Sequence, residues 1–133
     1  MTFLDTSALI AILASEPDAD NFAAKLETAD ETICAGHVIL EASMRLSTLL
    51  GFAPTVADQL ITRLLREAGI AVVPITEEIA HLAVTAFEHY GKGRNNDANL
   101  NFGDCLSYAC AKAHGAALLF KGDDFVRTDI SCA

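Results

Sequence analysis

This sequence predicts an α/β fold with a mainly parallel central sheet of four to five strands and helices on both faces, and three observations support that prediction. Short apolar runs alternate, from one end of the chain to the other, with longer stretches whose apolar residues recur at helical spacing. Glycines (Gly36, Gly51, Gly69, Gly91, Gly115) fall where a strand or helix should stop. The chain has 133 residues, 52% of them hydrophobic, enough to bury one core over residues 1–133 without disulfides or a structural metal.

Thr2 to Leu4 reads as a short strand. Asp5-Thr6-Ser7 then offers N-cap chemistry for a helix over Ala8 to Ala14, stopping near Ser15-Glu16. Pro17 suits the first turn of the next helix, with Phe22, Ala23 and Leu26 on one face. Thr32 to Ala35 is the second strand, broken by Gly36. The helix that follows carries a buried stripe of Val38, Ala42, Leu46 and Leu49, an opposite stripe of His37, Glu41, Arg45 and Thr48, and a stop at Gly51. Pro54 to Ala68 reads as an amphipathic helix on Val56, Leu60, Leu64 and Leu65, stopped by Gly69. Ile70 to Ile75 is the third strand. Thr76, with Glu78 nearby, opens a helix through Ile79, Ala83 and Phe87 to Gly91. A polar loop, Gly91 to Asn99, leads to Asn101, which can cap a helix bearing Leu106, Ala109, Cys110 and Ala113 and ending at Gly115. Ala117 to Phe120 is a continuous apolar strand, Lys121-Gly122-Asp123-Asp124 a turn, and Thr128-Asp129-Ile130 a candidate last strand.

A net charge of −9, from 18 acids against nine bases, argues against a broad basic surface for nucleic acid, so any polyanion has to be gripped locally. Arg45, Lys92, Arg94, Lys121 and Arg127 lie near acids of interest, although ordinary surface charges would look the same. No apolar run approaches the roughly 18 residues of a membrane span, and no basic leader precedes Phe3, so a cytoplasmic protein is expected. Cys34, Cys105, Cys110 and Cys132 form no CxxC pair and read as small core residues.

Asp5, Glu41, Asp104 and Asp124 each close or follow an apolar segment. Open parallel sheets bind ligands at the carboxyl ends of their strands, where Asp5 and Asp124 fall; Asp104 belongs to the first turn of its helix and Glu41 to the second turn of the helix after strand two. Taken singly, each acid has a plainer role as cap, turn or solvated helix residue. Together they suggest one rim. Crowded carboxylates repel, and a hard divalent cation relieves the repulsion. Magnesium takes oxygen ligands, polarises phosphodiesters and lowers the pKa of bound water. GxxxxGK[ST], HExxH and GxSxG are absent. His37 and Glu41, four apart, are a weaker transition-metal pair.

Phe3-Leu4-Asp5-Thr6-Ser7-Ala8-Leu9, Ile39-Leu40-Glu41-Ala42-Ser43, Leu100-Asn101-Phe102-Gly103-Asp104-Cys105 and Leu118-Leu119-Phe120-Lys121-Gly122-Asp123-Asp124-Phe125 resemble, in order and over the whole chain, the motifs of PIN-domain ribonucleases, most closely the VapC toxins of VapBC toxin–antitoxin pairs. The resemblance implies a PIN-like three-layer sandwich and a magnesium- or manganese-dependent endoribonuclease. It also implies a homodimer formed through helices and a VapB-type antitoxin as partner. By position it makes Asp5 and Asp104 metal ligands, Glu41 and Asp124 ligands directly or through water, and Thr6 and Ser7 supports of Asp5. Arg94 and Lys121 are candidates for gripping RNA. The chain departs from the pattern at Asn95-Asn96-Asp97, which adds an acid, and at the Asp123-Asp124 doublet; Asp124 is chosen because it directly precedes Phe125.

The expected reaction is cleavage of single-stranded or loop RNA by metal-activated water, leaving a 5′-phosphate and a 3′-hydroxyl. Two other classes stay open: a metal-dependent phosphatase of small phosphoesters, although Asp5-Thr6-Ser7 lacks the second aspartate of a DxD motif, and a non-catalytic module whose acidic crevice receives a basic peptide.

Overall fold

The computed structural model describes residues 1–133. Its elements are β1 (Thr2–Leu4), α1 (Thr6–Leu13), α2 (Ala19–Thr28), β2 (Thr32–Ala35), α3 (Gly36–Leu50), α4 (Pro54–Glu67), β3 (Ala71–Val73), α5 (Glu77–Tyr90), α6 (Phe102–His114) and β4 (Ala117–Leu119). The sheet order is β3-β2-β1-β4 and every pairing is parallel, with Thr2 opposite both Thr32 and Ala117. Every residue of β1 and β2 is buried, as parallel strands covered by helices on both faces must be.

The chain lays β2 and β3 to one side of β1 and then places β4 on the other. The strand order therefore reverses at β1, which opens a crevice at its carboxyl end. Asp5 is the next residue. One continuous core lies beneath, built on Phe3, Leu4, Leu118 and Leu119 of the sheet, Leu9 of α1, Val38 and Leu46 of α3 and Ile61 of α4. Fully buried alanines (Ala8, Ala11, Ala42, Ala109) let helices approach closely. The helices pack mainly as α1 on α2 and α3, α3 on α4, and α5 on α6, with α6 also touching β1 and β4. No helix is long and apolar enough to cross a membrane.

Several expectations are corrected. The fifth strand at Thr128 to Ile130 does not form. Thr128 instead closes a local turn, its hydroxyl donating to the Phe125 carbonyl and accepting from the Ile130 amide, and such local bonding competes with a sheet ladder. The sheet gains only one bridge, Leu118 with Cys132. Cys132 is exposed, not a core residue, whereas Cys34, Cys105 and Cys110 are buried thiols. Pro17 precedes α2: Glu16-Pro17-Asp18 forms a turn in which the Ala19 amide reaches the Glu16 carbonyl at 2.9 Å.

In α4 the buried residues are Ala57, Ile61 and Leu65, while Val56 and Leu60 are each 42% exposed. The helix has apolar residues on both adjoining stripes, and only the partner surface on α3 selects one. In α3, Ser43 is buried and Leu49 exposed, contrary to the expected stripe. β3 spans three residues, because beyond Val73 it has no pairing with β2.

Candidate active site

Asp5 is 4% exposed and is the N-cap of α1. One carboxylate oxygen, Oδ2, accepts from the Ser7 amide at 3.1 Å and the Ser7 hydroxyl at 2.6 Å. The Ser7 hydroxyl in turn accepts from the Lys121 amide at 2.9 Å, just past β4. The Asp5 amide donates to the Leu119 carbonyl at 3.0 Å, so β1, α1 and the end of β4 together fix this carboxylate. Ser7 is thus hydrogen-bonded to Asp5, whereas the buried Thr6 hydroxyl has no hydrogen-bond partner.

Asp104 occupies the third position of α6. The Asn101 side chain accepts from the Asp104 amide at 2.9 Å and Asp104 Oδ2 accepts from the Asn101 amide at 3.0 Å, a reciprocal capping box. One carboxylate therefore serves the helix start and the crevice together. Burial pushes the Asp104 carboxyl up to about 7, with Asp5, Asp124 and Glu41 each adding to the rise and the Asn101 amide opposing it. Desolvation raises a carboxyl by itself, and like charges nearby raise it further. Asp124 of the doublet is among the acids that raise it.

Glu41 comes to the same place from α3. Its carboxylate lies against Gly103, where a methyl group would stand 2.6 Å from Oε2 and 3.1 Å from Cδ. Gly103 thus leaves room for Glu41, a steric role that the motif reading passed over. Glycine inside a helix costs roughly 0.5–1 kcal/mol against alanine, and that penalty next to a suspected acid was the available signal of a close approach.

The four acids share one neighbourhood, but no three His, Cys, Asp or Glu side chains are grouped tightly enough to hold an ion as they stand. Asp5 and Asp104 are each tied to their own donors. The donor set is nonetheless all hard oxygen, and the raised Asp104 marks a surplus of negative charge, which fits a hard divalent cation that retains several waters.

The bases are less concentrated. The Lys121 ammonium pairs with Glu16 and Asp18, on the turn between α1 and α2. Arg94 is exposed and sits 5.9 Å above the Phe87 ring at the end of α5. His37 is not paired with Glu41: its Nε2 bonds the Ser107 hydroxyl at 2.8 Å and its ring stacks on Phe3. Burial holds its imidazole down at about 4, although Asp5 works upward. Such a ring is neutral at ordinary pH. A pocket of about 380 Å³ opens beside Glu41, between α3 and the start of α6.

Comparison with known proteins places these features in context. The family described as PIN domain matches residues 2–131. Ribonuclease VapC28 of Mycobacterium tuberculosis is 40% identical over 130 residues, covering 98% of this chain and 96% of that protein. In structure, the chain resembles VapC20 of Mycobacterium tuberculosis, described as a Sarcin-Ricin loop cleaving toxin, with a TM-score of 0.79 at 16% identity, covering 100% of this chain and 98% of that one. A toxin–antitoxin complex from Klebsiella pneumoniae gives 0.70 at 18% identity, covering 97% and 93%. At those identities the two structures bear on the fold alone.

Proposed function

The chain belongs to the PIN-domain family, and we propose that it is a VapC-type ribonuclease, the toxin of a toxin–antitoxin pair, acting as an endonuclease with magnesium or manganese. The observation that carries this reading is geometric: Glu41 of α3 lies against Gly103, the neighbour of Asp104 in the first turn of α6, while Asp5 follows β1 at the carboxyl edge of the same sheet, and Asp5, Asp124 and Glu41 all raise the Asp104 carboxyl.

Asp5 and Asp104 would hold the ion, with Glu41 and Asp124 completing its surroundings directly or through water. When bound, the ion supplies positive charge that polarises a phosphodiester and lowers the pKa of water. The rest falls to the chain itself. Ser7 holds Asp5 in one rotamer, and the Lys121 amide holds Ser7. The Asn101 amide fixes Asp104, and Gly103 leaves room for Glu41 beside it. Arg94, unlike Lys121, keeps its charge free of any acid and is the better candidate for an RNA phosphate. The surplus of acid also suits a basic side chain from an antitoxin. The exposed Val84 and Phe87 of α5 offer an apolar face for a homodimer.

The deciding experiment is RNA cleavage with magnesium by the protein and by Asp5→Asn and Asp104→Asn. Both variants should lose activity by roughly a hundred-fold or more while circular dichroism stays native. Normal cleavage by either removes that residue from the mechanism. A 2′-deoxy sugar at the cut site should be tolerated once bound, because the attacking group is water. Release of inorganic phosphate from small esters without RNA cutting would instead indicate a phosphatase.

A further inference from the structure

Phe102 has no structural reason to be aromatic. It is the first residue of α6, 84% exposed, more than any other large apolar side chain of the chain. Across the pocket of about 380 Å³ stand Leu40, Glu41, Met44 and Arg45 of α3, a volume within the range of small-ligand sites. Leu40 and Met44, one helical turn apart, are themselves 64% and 59% exposed. Glu41 belongs to both the pocket wall and the acid group. Arg45 forms no ion pair, as is also true of Lys25, Arg66, Lys92 and Arg94, whereas Arg63, Lys112, Lys121 and Arg127 do; of the unpaired bases Arg45 alone lines this pocket. An exposed apolar group of this kind, rimmed by charge, marks an interaction surface.

We infer that this pocket receives one unpaired base of the RNA substrate beside the bond to be cut, stacked on the Phe102 ring, with Arg45 on the neighbouring phosphate. The inference rests on the ribonuclease reading and deepens it by adding a substrate subsite. A π face, a guanidinium and the Glu41 carboxylate line this one pocket, and a nucleotide offers the matching base, phosphate and scissile phosphodiester. Aromatic stacking accepts any base, so the subsite selects single-stranded RNA over paired RNA more than one sequence over another.

The chain contains no tryptophan. Phe102→Trp therefore places the sole indole in the pocket, and its emission reports stacking without any need for cleavage. In an Asp104→Asn background, a short mixed-sequence single-stranded RNA should quench that emission saturably, and a duplex of the same sequence should not. In the otherwise native chain, Phe102→Ala should raise KM for RNA cleavage by roughly five- to a hundred-fold with kcat little changed, and Phe102→Tyr should restore it.

Unquenched emission with an RNA that the native protein cleaves overturns the subsite, as does an unaltered KM for Phe102→Ala. Weakened self-association of Phe102→Ala in sedimentation, with KM unchanged, would assign the patch to a second copy of the chain. Quenching without cleavage by the native protein keeps the base pocket and defeats the ribonuclease reading. Absence of both defeats the two together.

Discussion

Asp104 and His37 titrate in opposite senses, and their effects nearly hide each other. The Asp104 carboxyl is raised from its ordinary 3.8 to about 7, so the folded chain binds its proton more tightly than the unfolded chain. Its contribution to stability therefore falls as pH rises from about 4 to about 7. The His37 imidazole is lowered from 6.5 to about 4, so the unfolded chain binds that proton more tightly, and its contribution rises over about the same window. In chelator, urea midpoints of the native chain should be nearly flat from pH 4 to 6.5 as far as these two groups decide. Asp104→Asn should uncover a rise over that window, and His37→Gln a fall. Unchanged profiles in both variants would contradict the assigned environments. Asp129, lowered by the Tyr108 hydroxyl and Lys112, acts only below about pH 4. Gly103→Ala offers a second test at this scale. The added methyl meets the mobile end of Glu41, not backbone, so Glu41 should swing aside. Thermal stability should hold or rise slightly while RNA cleavage falls by roughly ten-fold or more, and unchanged cleavage would mean that Glu41 has no part in it.

The first turn of α6 is the element on which the site depends most, since Asn101 caps it, Phe102 leaves it exposed, Gly103 admits Glu41 and Asp104 faces the other acids. Asn101→Ala removes the acceptor for the Asp104 amide and should cost about 0.5–2 kcal/mol in urea unfolding, with Asn101→Ser recovering most of it. Activity should fall in parallel, because the same box holds the Asp104 carboxylate. Elements of this kind were legible beforehand: the Asn101 cap, the Thr76 cap on α5 and the left-handed stops at Gly51 and Gly115 all lie where the residue types indicated. The face of α4 and the absence of a strand at Thr128 to Ile130 were not. Two adjoining apolar stripes look equally buriable along a helix, and a threonine-closed turn offers the same β-prone residues as a short strand.

Across the whole molecule, the acids belong to segments about a hundred residues apart, from Asp5 to Asp104 and Asp124, and folding must gather their charge against mutual repulsion. A cation that binds only the folded state should therefore stabilise it by mass action, by about 2.7 kcal/mol at a hundred times its dissociation constant. Melting temperature should climb with magnesium in the native chain and stay level in an Asp5→Asn, Asp104→Asn double variant. An equal climb in both would place the ion elsewhere.

By itself the sequence determined the strand and helix alternation, the caps and the identity of the four candidate acids, because local backbone chemistry and hydrophobic period are properties of neighbouring residues. Only the tertiary structure decided that the strand order reverses at β1, that Asp124 bears on Asp104, that Lys121 is bound by Glu16 and Asp18, and that Gly103 makes room for Glu41. Those facts depend on distances between residues far apart in the chain, which are set when the helices close over the sheet and leave no mark in linear spacing.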